Sequence, residues 1–354
     1  MSNDSLQDGI KITLEDLANV QVTEGAPGPI LPAAPASRSY GTITDASSQT
    51  PLGEKERGSL LLQGWFYLGG AGLLGALAGW AICEPGFSDG GGLNHWGNIL
   101  MVPALVALMV LGFGIVESLV ERSVKKAVIR GAIALPLGIV LGFVFYFLAN
   151  IVFAAALGIS AELGVHSVRN PVFWLARALA WAVFGVAGGL VYGIVGQSFK
   201  KGKFGVLGGI LGAGIGGILF DPIAFGTGGS SAALSRAVGF AFFGVATGVL
   251  MGLVESALKD RWLYVTAGPL AGKQFILYKP QTIVGSEQQC DIYLFKDPAI
   301  LPRHAVLIAN GARMTLRAAG PALVSGVPVT NRVLLDGDLV QIGRYAFRYK
   351  EKTR

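Results

Sequence analysis

Six long apolar stretches constrain the fold of this sequence more than any other feature. They lie near residues 60–82, 97–118, 129–157, 171–196, 204–225 and 233–256. A helix of about 20 residues crosses the hydrocarbon core of a bilayer, so each stretch is long enough to span it. The third is longer than needed and is expected to tilt or to extend past the interface. Only 14% of residues are charged, against about 25% in soluble domains. We therefore predict a polytopic helical membrane domain over residues 60–257.

Basic residues are concentrated in alternate loops, and this pattern predicts an orientation. Cations precede the first stretch, occupy the second-to-third and fourth-to-fifth loops, and follow the sixth stretch: Lys55, Arg57, Arg122, Lys125, Lys126, Arg130, Lys200, Lys201, Lys203, Lys259 and Arg261. The remaining loops carry few cations. Cationic loops stay on the cytoplasmic side, so both termini are expected in the cytoplasm. The composition fits an integral protein of a bacterial inner membrane.

Sequence similarity between the stretches indicates an internal repeat. The even-numbered stretches end in related segments, GIVES at 114–118, GIVGQS at 193–198 and GLVES at 252–256. The fourth and sixth stretches also align at one offset, which places Arg177 opposite Arg236. Two odd-numbered stretches end in CEPGF at 83–87 and FDPIAF at 220–225. We interpret the membrane domain as three copies of a two-helix hairpin.

Glycines four residues apart predict close helix packing. They recur in the last three stretches at Gly185, Gly189 and Gly193, at Gly208, Gly212 and Gly216, and at Gly244, Gly248 and Gly252. In lipid, helices associate by packing, and small residues on one face let their backbones approach. Packing within one chain and assembly of a homo-oligomer would both use such faces. Internal packing is the favoured interpretation, and membrane lipids would cover the remaining helix surfaces.

Four ionisable residues lie near the outer ends of the predicted helices: Glu84, Arg177, Asp221 and Arg236. The favoured interpretation is a structural layer of ion pairs at the interface. The alternative is a site for an ion or solute, since charge inside a membrane is often functional. No stretch has a broken middle with several polar groups, a feature found in many transporters.

The composition changes from Trp262 onward. Short runs with alternating apolar residues appear, punctuated by Gly, Pro, Asn and Asp, among them WLYVT, QFILY, HAVLI and YAFRY. Many short strands of this kind predict an all-β sandwich. We place this domain at residues 262–354, only a few residues after the last apolar stretch. The fold class is therefore a six-helix membrane bundle followed by an all-β domain.

The β-rich region resembles a forkhead-associated (FHA) domain over roughly residues 263–350. The matching segments occur in family order: IVG at 283–285, CDIYLFKDP at 290–298, RHAVL at 303–307, LVSGVPV at 323–329 and LLDGDLVQIGRYAFRY at 334–349. The resemblance implies a sandwich whose loops bind a phosphothreonine peptide. It also implies that His304 braces a recognition loop and that Gly285, Gly326 and Gly337 occupy turns.

The sequence departs from the family at the positions that hold the peptide. Ser286 stands where the family has its phosphate-binding arginine, Leu301 where it has a serine, and Ser325 where it has an asparagine. Charge-assisted hydrogen bonds are each worth about 1.5–3 kcal/mol, so these changes predict weak binding of phosphothreonine. Lys296 or Arg303 would have to point into the cleft to restore an anion site.

Residues 1–59 are polar and rich in Pro, Ala, Ser, Thr and Gly, and we predict a disordered cytoplasmic tail. Thr13 and Thr42 are each followed by aspartate three residues later. The FHA family often prefers that peptide pattern, so both threonines are candidate phosphosites. The alternative is that the tail is simply an accessible, solvated segment.

We predict a non-enzymatic scaffold that presents an altered FHA-like domain to cytoplasmic proteins and binds them independently of phosphate. The FHA resemblance implies a setting in Ser/Thr-kinase signalling. Two other hypotheses stay open: a channel or transporter regulated by this domain, and a genuine phosphothreonine sensor. The sequence contains no nucleophile with a positioned base, no metal-ligand spacing and no phosphate loop. No cofactor, metal or nucleic-acid partner is expected.

Overall fold

A computed structural model describes residues 60–88, 94–164, 170–226 and 232–352. Thr13, Thr42 and the predicted tail lie outside these ranges. Six long helices come first: α1 Gly64–Cys83, α2 Trp96–Val120, α3 Val124–Glu162, α4 Pro171–Val195, α5 Phe199–Gly226 and α6 Ala232–Leu258. Each is long and apolar enough to cross a membrane. The prediction of six such helices is confirmed.

Two helices begin earlier than the apolar pattern suggested. Helix α3 begins at Val124 and α5 at Phe199, so several basic residues predicted in loops lie in first helical turns, namely Lys125, Lys126, Lys200 and Lys201. Carboxylates on a neighbouring segment neutralise two of these cations: Lys126 contacts Glu121 at 3.1 Å and Lys201 contacts Glu117 at 2.6 Å. Apolar length alone therefore underestimated both helices.

The helices form a ring in sequence order. Each packs against the next, α6 returns to α1, and α2 also contacts α4. The centre of the ring is apolar and includes Leu68, Phe113, Phe184, Phe243 and Met251. Helix α3 is the least enclosed of the six. Only 22% of its apolar segment is buried within the protein, so most of its surface is left for lipid.

Glycines set the helix spacing in this ring. A Cβ atom added at the predicted glycine positions would run into the backbone of a neighbouring helix. The approaches join α4 to α5 through Gly185, Gly189 and Gly193, α5 to α6 through Gly208, Gly212 and Gly216, and α6 to α1 through Gly244, Gly248 and Gly252. All nine glycines thus pack against helices of the same chain.

Eleven strands follow within the described residues: β1 Arg261–Ala267, β2 Gln274–Ile276, β3 Gln281–Gly285, β4 Ile292–Tyr293, β5 Ala305–Asn310, β6 Arg313–Ala318, β7 Ala322–Val324, β8 Val327–Pro328, β9 Asn331–Leu334, β10 Leu339–Ile342 and β11 Tyr345–Glu351. They form two sheets, in the orders β2-β1-β11-β10-β7-β8 and β4-β3-β5-β6-β9. Neighbours pair antiparallel except β3 and β4, which are parallel. The predicted all-β sandwich is confirmed.

Period-two burial creates the core of the sandwich. In β5, for example, Ala305 and Leu307 are buried while Val306 and Ile308 are half-buried. Side chains from both sheets, including Val265, Leu316 and Phe347, meet in one apolar cluster. Only Lys259 and Asp260 separate α6 from β1. This short connection holds the sandwich, and the loops that it carries, close to the helix ends.

We predict that Gly248→Ala will destabilise the helical ring, because its new methyl group would meet the backbone of Leu68. Forced overpacking costs about 1–3 kcal/mol. Gly70→Ala is the matched control, since nothing lies within 4 Å of a Cβ atom there. Thermal unfolding of the detergent-purified protein should show a lower midpoint for Gly248→Ala only; equal midpoints would contradict the packing role.

Candidate functional site

Two altered recognition positions lie side by side at the end of the sandwich. The main-chain N–H of Ser286 donates to the carbonyl of Leu301 at 3.0 Å, and its hydroxyl donates to the carbonyl of Ile300 at 2.8 Å. The hydroxyl hydrogen is therefore used within the loops themselves. The Leu301 side chain is 43% exposed and has no polar atom. Neither side chain offers a spare donor to a phosphate group.

His304 holds the loop that carries Leu301. The N–H of Leu301 donates to Nδ1 of His304 at 3.1 Å, so Nε2 carries the proton and donates to the carbonyl of Pro321 at 2.9 Å. The ring is 1% exposed and lies against Gly320, where a Cβ atom would collide with it. The imidazole thus connects two loops and is enclosed by the protein.

The third altered position, Ser325, belongs to a different turn. Its hydroxyl donates to a carboxylate oxygen of Asp338 at 3.1 Å. Ser325 has a φ of 49° and Gly326 a φ of 81°, so the turn uses left-handed backbone, which glycine adopts without strain. Gly337 has a φ of 92° in the neighbouring turn. The described contacts do not join Ser325 directly to Ser286 or Leu301.

The prediction that Gly285 occupies a turn was wrong. Gly285 is buried at the end of β3, and its φ is not positive. A Cβ atom there would collide with the main chain of Pro302. Glycine is needed at this position because the loop after β4 crosses directly over the strand end.

Two cations remain exposed near the altered positions. The Arg303 side chain is 72% exposed, and its Nε atom lies 3.7 Å from the Glu287 carboxylate. Lys296 is exposed at a φ of 63°, between Phe295 and Asp297. A surface ion pair of this kind contributes about 0–1 kcal/mol. It nevertheless places a negative charge beside Arg303, on the face where the FHA family binds phosphate.

Asp297 fixes the loop that carries Lys296. Its carboxylate accepts main-chain N–H groups of Arg344 at 2.8 Å and of Ala299 at 3.1 Å. These hydrogen bonds, led by that of Arg344, lower the pKa of Asp297 below its usual value. The ionised carboxylate therefore stabilises the folded loop at neutral pH.

The loop after Ser286 contacts the turn between α2 and α3. The Ser123 hydroxyl donates to the carbonyl of Gln288 at 3.0 Å. The Lys126 ammonium donates to the carbonyls of Cys290 at 3.2 Å and Asp291 at 3.0 Å. A loop of the recognition face is thereby attached to the membrane domain through its main chain.

A buried ion pair lies behind this contact. The Lys273 ammonium is 2.9 Å from Oε1 of Glu121, and the two side chains are 2% and 3% exposed. The other oxygen of Glu121 accepts a hydrogen bond from Lys126 at 3.1 Å. Glu121 and Lys126 belong to the helical part of the chain, whereas Lys273 lies between β1 and β2. We call the contact formed by Glu121–Lys126, Lys273 and Gln288–Asp291 the junction.

A second polar contact joins the sandwich to α4 and α6. Glu255 accepts hydrogen bonds from the hydroxyl groups of Tyr192 at 2.9 Å and Tyr278 at 2.8 Å. Both of these hydrogen-bond donors are tyrosine hydroxyl groups, although Glu255 lies close along the chain to the basic residues that follow α6. Burial, followed by the nearby Glu255 charge, raises the pKa of Tyr278 well above its usual value. Tyr278 therefore stays protonated and donates to Glu255.

A cavity of about 170 Å³ lies between the helix ends and the sandwich. Its lining includes Glu117, Glu255, Lys201, Tyr278 and Asp291. Glu117 is neutralised by Lys201 at 2.6 Å and by Arg130 of α3 at 3.0 Å. Among the described residues, no group of three His, Cys, Asp or Glu side chains is arranged to hold a metal ion. The cavity is thus polar, and the charged side chains named in its lining already have hydrogen-bond or ion-pair partners within the protein.

The four ionisable residues predicted at the other end of the bundle form two pairs. The Nε atom of Arg177 lies 2.9 Å from Asp221, and Nη2 of Arg236 lies 2.5 Å from Glu84. These pairs join α4 to α5 and α6 to the short 3₁₀ turn at Glu84–Gly86. Each cation is thus matched with an acid from a neighbouring element.

Residues 264–353 match the family described as "Inner membrane component of T3SS, cytoplasmic domain". The region is also 36% identical over 86 residues to the glycogen accumulation regulator GarA of Mycolicibacterium smegmatis. The C-terminal region is an FHA domain. The match to GarA covers 23% of this chain and 54% of GarA. A second relative, the oxoglutarate dehydrogenase inhibitor of Corynebacterium efficiens, is 34% identical over 23% of this chain and 60% of its own length.

Solved FHA structures resemble the same part of the chain. The FHA domain of CT664 protein from Chlamydia trachomatis is 26% identical, covering 27% of this chain and all of that one, with a TM-score of 0.25. The chain spans about half to two thirds of the curated relatives it matches. These matches concern the FHA domain.

The junction residues were missed by sequence reasoning. Lys126 was predicted only as one of the loop cations, and no prediction was made for Glu121 or Lys273. Their importance depends on the contact between the two domains. A lysine beside an apolar strand carries no local signal that it will be buried.

We predict that Lys273→Met will loosen the junction. Removing one partner of a buried ion pair costs about 3–5 kcal/mol, and Lys126 will offset part of this because it still contacts Glu121. Hydrogen exchange of the detergent-purified protein should be faster at Gln288–Asp291. The matched control is Arg303→Met, which removes an exposed ion pair.

Adding Glu121→Gln to Lys273→Met should recover part of the protection, because no unpaired carboxylate would then be buried. Unchanged exchange in Lys273→Met would show that the ion pair does not hold the loop.

We also predict that Asp297→Asn will remove part of the acid sensitivity of the FHA domain. The pKa of Asp297 is lowered in the folded state. The ionised carboxylate therefore contributes its full share to the free energy of unfolding above the pKa of the unfolded state, which is about 3.9. The contribution is lost as the pH falls through the folded value. Thermal melts between neutral and acidic pH should show a shallower decline for the variant. If the unfolding midpoint declined equally with pH in wild type and variant, Asp297 would not contribute to the acid sensitivity.

Proposed function

We propose that this protein is a non-enzymatic membrane scaffold whose FHA domain presents an altered recognition face to a cytoplasmic protein. The observation that supports this most is the pairing of Ser286 with Leu301. One side chain uses its only donor within the loops and the other has none to offer. A face without these donors favours a partner with apolar and neutral surface over a phosphate group.

The exposed side chains of this end of the domain support such a partner. Leu301 is 43% exposed, and Val327, which follows the Ser325 turn, is 53% exposed. Apolar residues that become enclosed at an interface contribute through the loss of water contact. A phospho-independent protein contact would bury Leu301.

The membrane location supports the scaffold role. Six helices are long enough to cross a membrane, and the FHA domain matches a family described as the cytoplasmic domain of an inner membrane component. The basic loops favour the same side for both termini and for this domain. We propose an inner-membrane position with both termini cytoplasmic, and a role in organising a membrane-bound assembly of the secretion-system type.

The junction adds a mechanical argument. Two residues link α6 to β1, and the Glu121–Lys273 ion pair ties the far side of the domain to the α2–α3 turn. A domain held at two points has fewer orientations than one on a flexible linker. A bound partner would consequently be held in a defined position relative to the bilayer, which suits an assembly platform.

Leu301→Asp tests the proposal. The full chain would be cross-linked in cells and purified in mild detergent, and the partners recovered with wild type and variant would be compared. We expect a defined partner to be lost with Leu301→Asp, because a charge would enter the apolar contact. Val333→Asp is the matched control, since Val333 is also 43% exposed but lies on β9.

Treatment with a phosphatase separates this proposal from phosphothreonine sensing. We expect the partner to remain bound after its phosphates are removed. Loss of binding on phosphatase treatment would instead support a phosphothreonine sensor in a Ser/Thr-kinase pathway, with Arg303 or Lys296 holding the phosphate. Equal recovery with Leu301→Asp and wild type would contradict the proposed recognition face.

A further inference from the structure

A second cavity, of about 200 Å³, opens among α2, α3 and α4 in the half of the bundle away from the FHA domain. Four of the nine residues that line it are aromatic, among them Phe153, Trp181 and Phe184. The polar groups in its lining are those of Tyr146, Asn150 and Arg177. The cavity adjoins α3, the helix with the most surface left for lipid.

Arg177 has donors to spare in this cavity. Its Nε atom donates to Asp221, and within the described residues its two terminal nitrogens have no acceptor. The guanidinium carbon lies 5.7 Å from the centre of the Phe153 ring and 5.3 Å from that of Phe220. The aromatic rings and Asp221 therefore fix the orientation of the guanidinium group while leaving its outer edge available.

Arg236 has a different set of contacts with its acid from those of Arg177. It occupies the position equivalent to Arg177 in the repeat, but both Nε and Nη2 contact the two oxygens of Glu84, at 3.2 and 2.5 Å. Its guanidinium carbon lies 4.2 Å from the centre of the Phe87 ring. The two-point pair uses two of the three guanidinium nitrogens of Arg236, whereas the single bond from Arg177 leaves both of its terminal nitrogens as a fork.

Asn150 is a second polar group that lacks a full set of partners. It is exposed on α3, next to the exposed apolar residues Phe147, Leu148 and Ile151. One carboxamide N–H donates to the carbonyl of Tyr146, and the described chain supplies no partner for the carboxamide oxygen. A polar group facing lipid without partners is costly, so a polar ligand here would stabilise the protein.

The depth of the cavity indicates the ligand. Arg177 is six residues into α4, which corresponds to about 9 Å of helix. That depth lies near the boundary between headgroups and hydrocarbon in a core about 30 Å thick. The cavity thus combines a cationic fork at headgroup level with aromatic walls beside the acyl chains.

We propose that this cavity binds the phosphate group of an anionic phospholipid. The terminal nitrogens of Arg177 donate to phosphate oxygens, Asn150 and the Tyr146 hydroxyl contact the headgroup, and an acyl chain lies along α3. Phosphate suits the guanidinium fork because two parallel N–H groups match two phosphate oxygens. The lipid completes the hydrogen bonding of groups that the protein leaves without acceptors.

Fluorescence quenching of Trp181, which lines the cavity, tests this proposal. The full chain would be reconstituted in phosphatidylcholine vesicles that contain either brominated phosphatidylglycerol or brominated phosphatidylcholine. The fluorescence of the other tryptophans is measured in a Trp181→Phe variant and subtracted. We expect stronger quenching by the brominated anionic lipid, with Arg177→Gln weakening the apparent affinity about tenfold, because it removes charge-assisted hydrogen bonds. Arg236→Gln is the matched control and should keep the preference.

Asn150→Leu provides a variant that leaves the Arg177–Asp221 pair intact, in case Arg177→Gln fails to fold. It should also weaken the preference for the anionic lipid. Equal quenching by the two brominated lipids in wild type would overturn the proposal, as would an unchanged preference in Asn150→Leu. Displacement of the anionic lipid by inorganic phosphate, but not by chloride at equal ionic strength, would indicate a free-anion site and would overturn the assignment to a lipid.

Discussion

The buried ion pair between Glu121 and Lys273 is the interaction on which the relation between the two domains depends. Both charges are almost fully removed from water, which is unfavourable unless each is paired and hydrogen-bonded. Separating the domains would break the ion pair. When the domains are joined, Glu121 contacts Lys273 with one carboxylate oxygen and Lys126 with the other. The ion pair thus favours one specific docking geometry, since few other placements of the FHA domain would bring these charges together.

That docking has a consequence for recognition. Ser286 stands where the FHA family has its phosphate-binding arginine, and main-chain carbonyl groups later in the same loop accept hydrogen bonds from Ser123 and Lys126. The loop is therefore fixed by the membrane domain on one side while Leu301 faces outward on the other. A partner that contacts Leu301 would also be sensitive to the position of the α2–α3 turn. Recognition and membrane embedding are linked through one short stretch of main chain.

Local patterns predicted the elements of this fold well, because each pattern reflects a local physical cause. Apolar length gave six spans, and alternation gave the sandwich. The repeat aligned Arg177 with Arg236. Patterns did worse where a contact between distant segments decides the outcome. Gly285 was assigned to a turn, although its small size accommodates the main chain of Pro302. Glu255 accepts hydrogen bonds from two tyrosines distant in sequence, a contact that no local pattern indicates.

The two repeat arginines show most clearly why sequence similarity stops short of function. Arg177 and Arg236 share a position in the repeat, and each meets an acid from another element. Glu84 contacts both Nε and Nη2 of its arginine, while the shorter Asp221 contacts only Nε. The guanidinium group of Arg236 lies between its acid and Phe87, whereas beside Arg177 the adjoining α3 leaves a cavity with aromatic side chains. A difference of one methylene in the partner, together with a loosely packed neighbouring helix, separates a structural pair from a candidate ligand site.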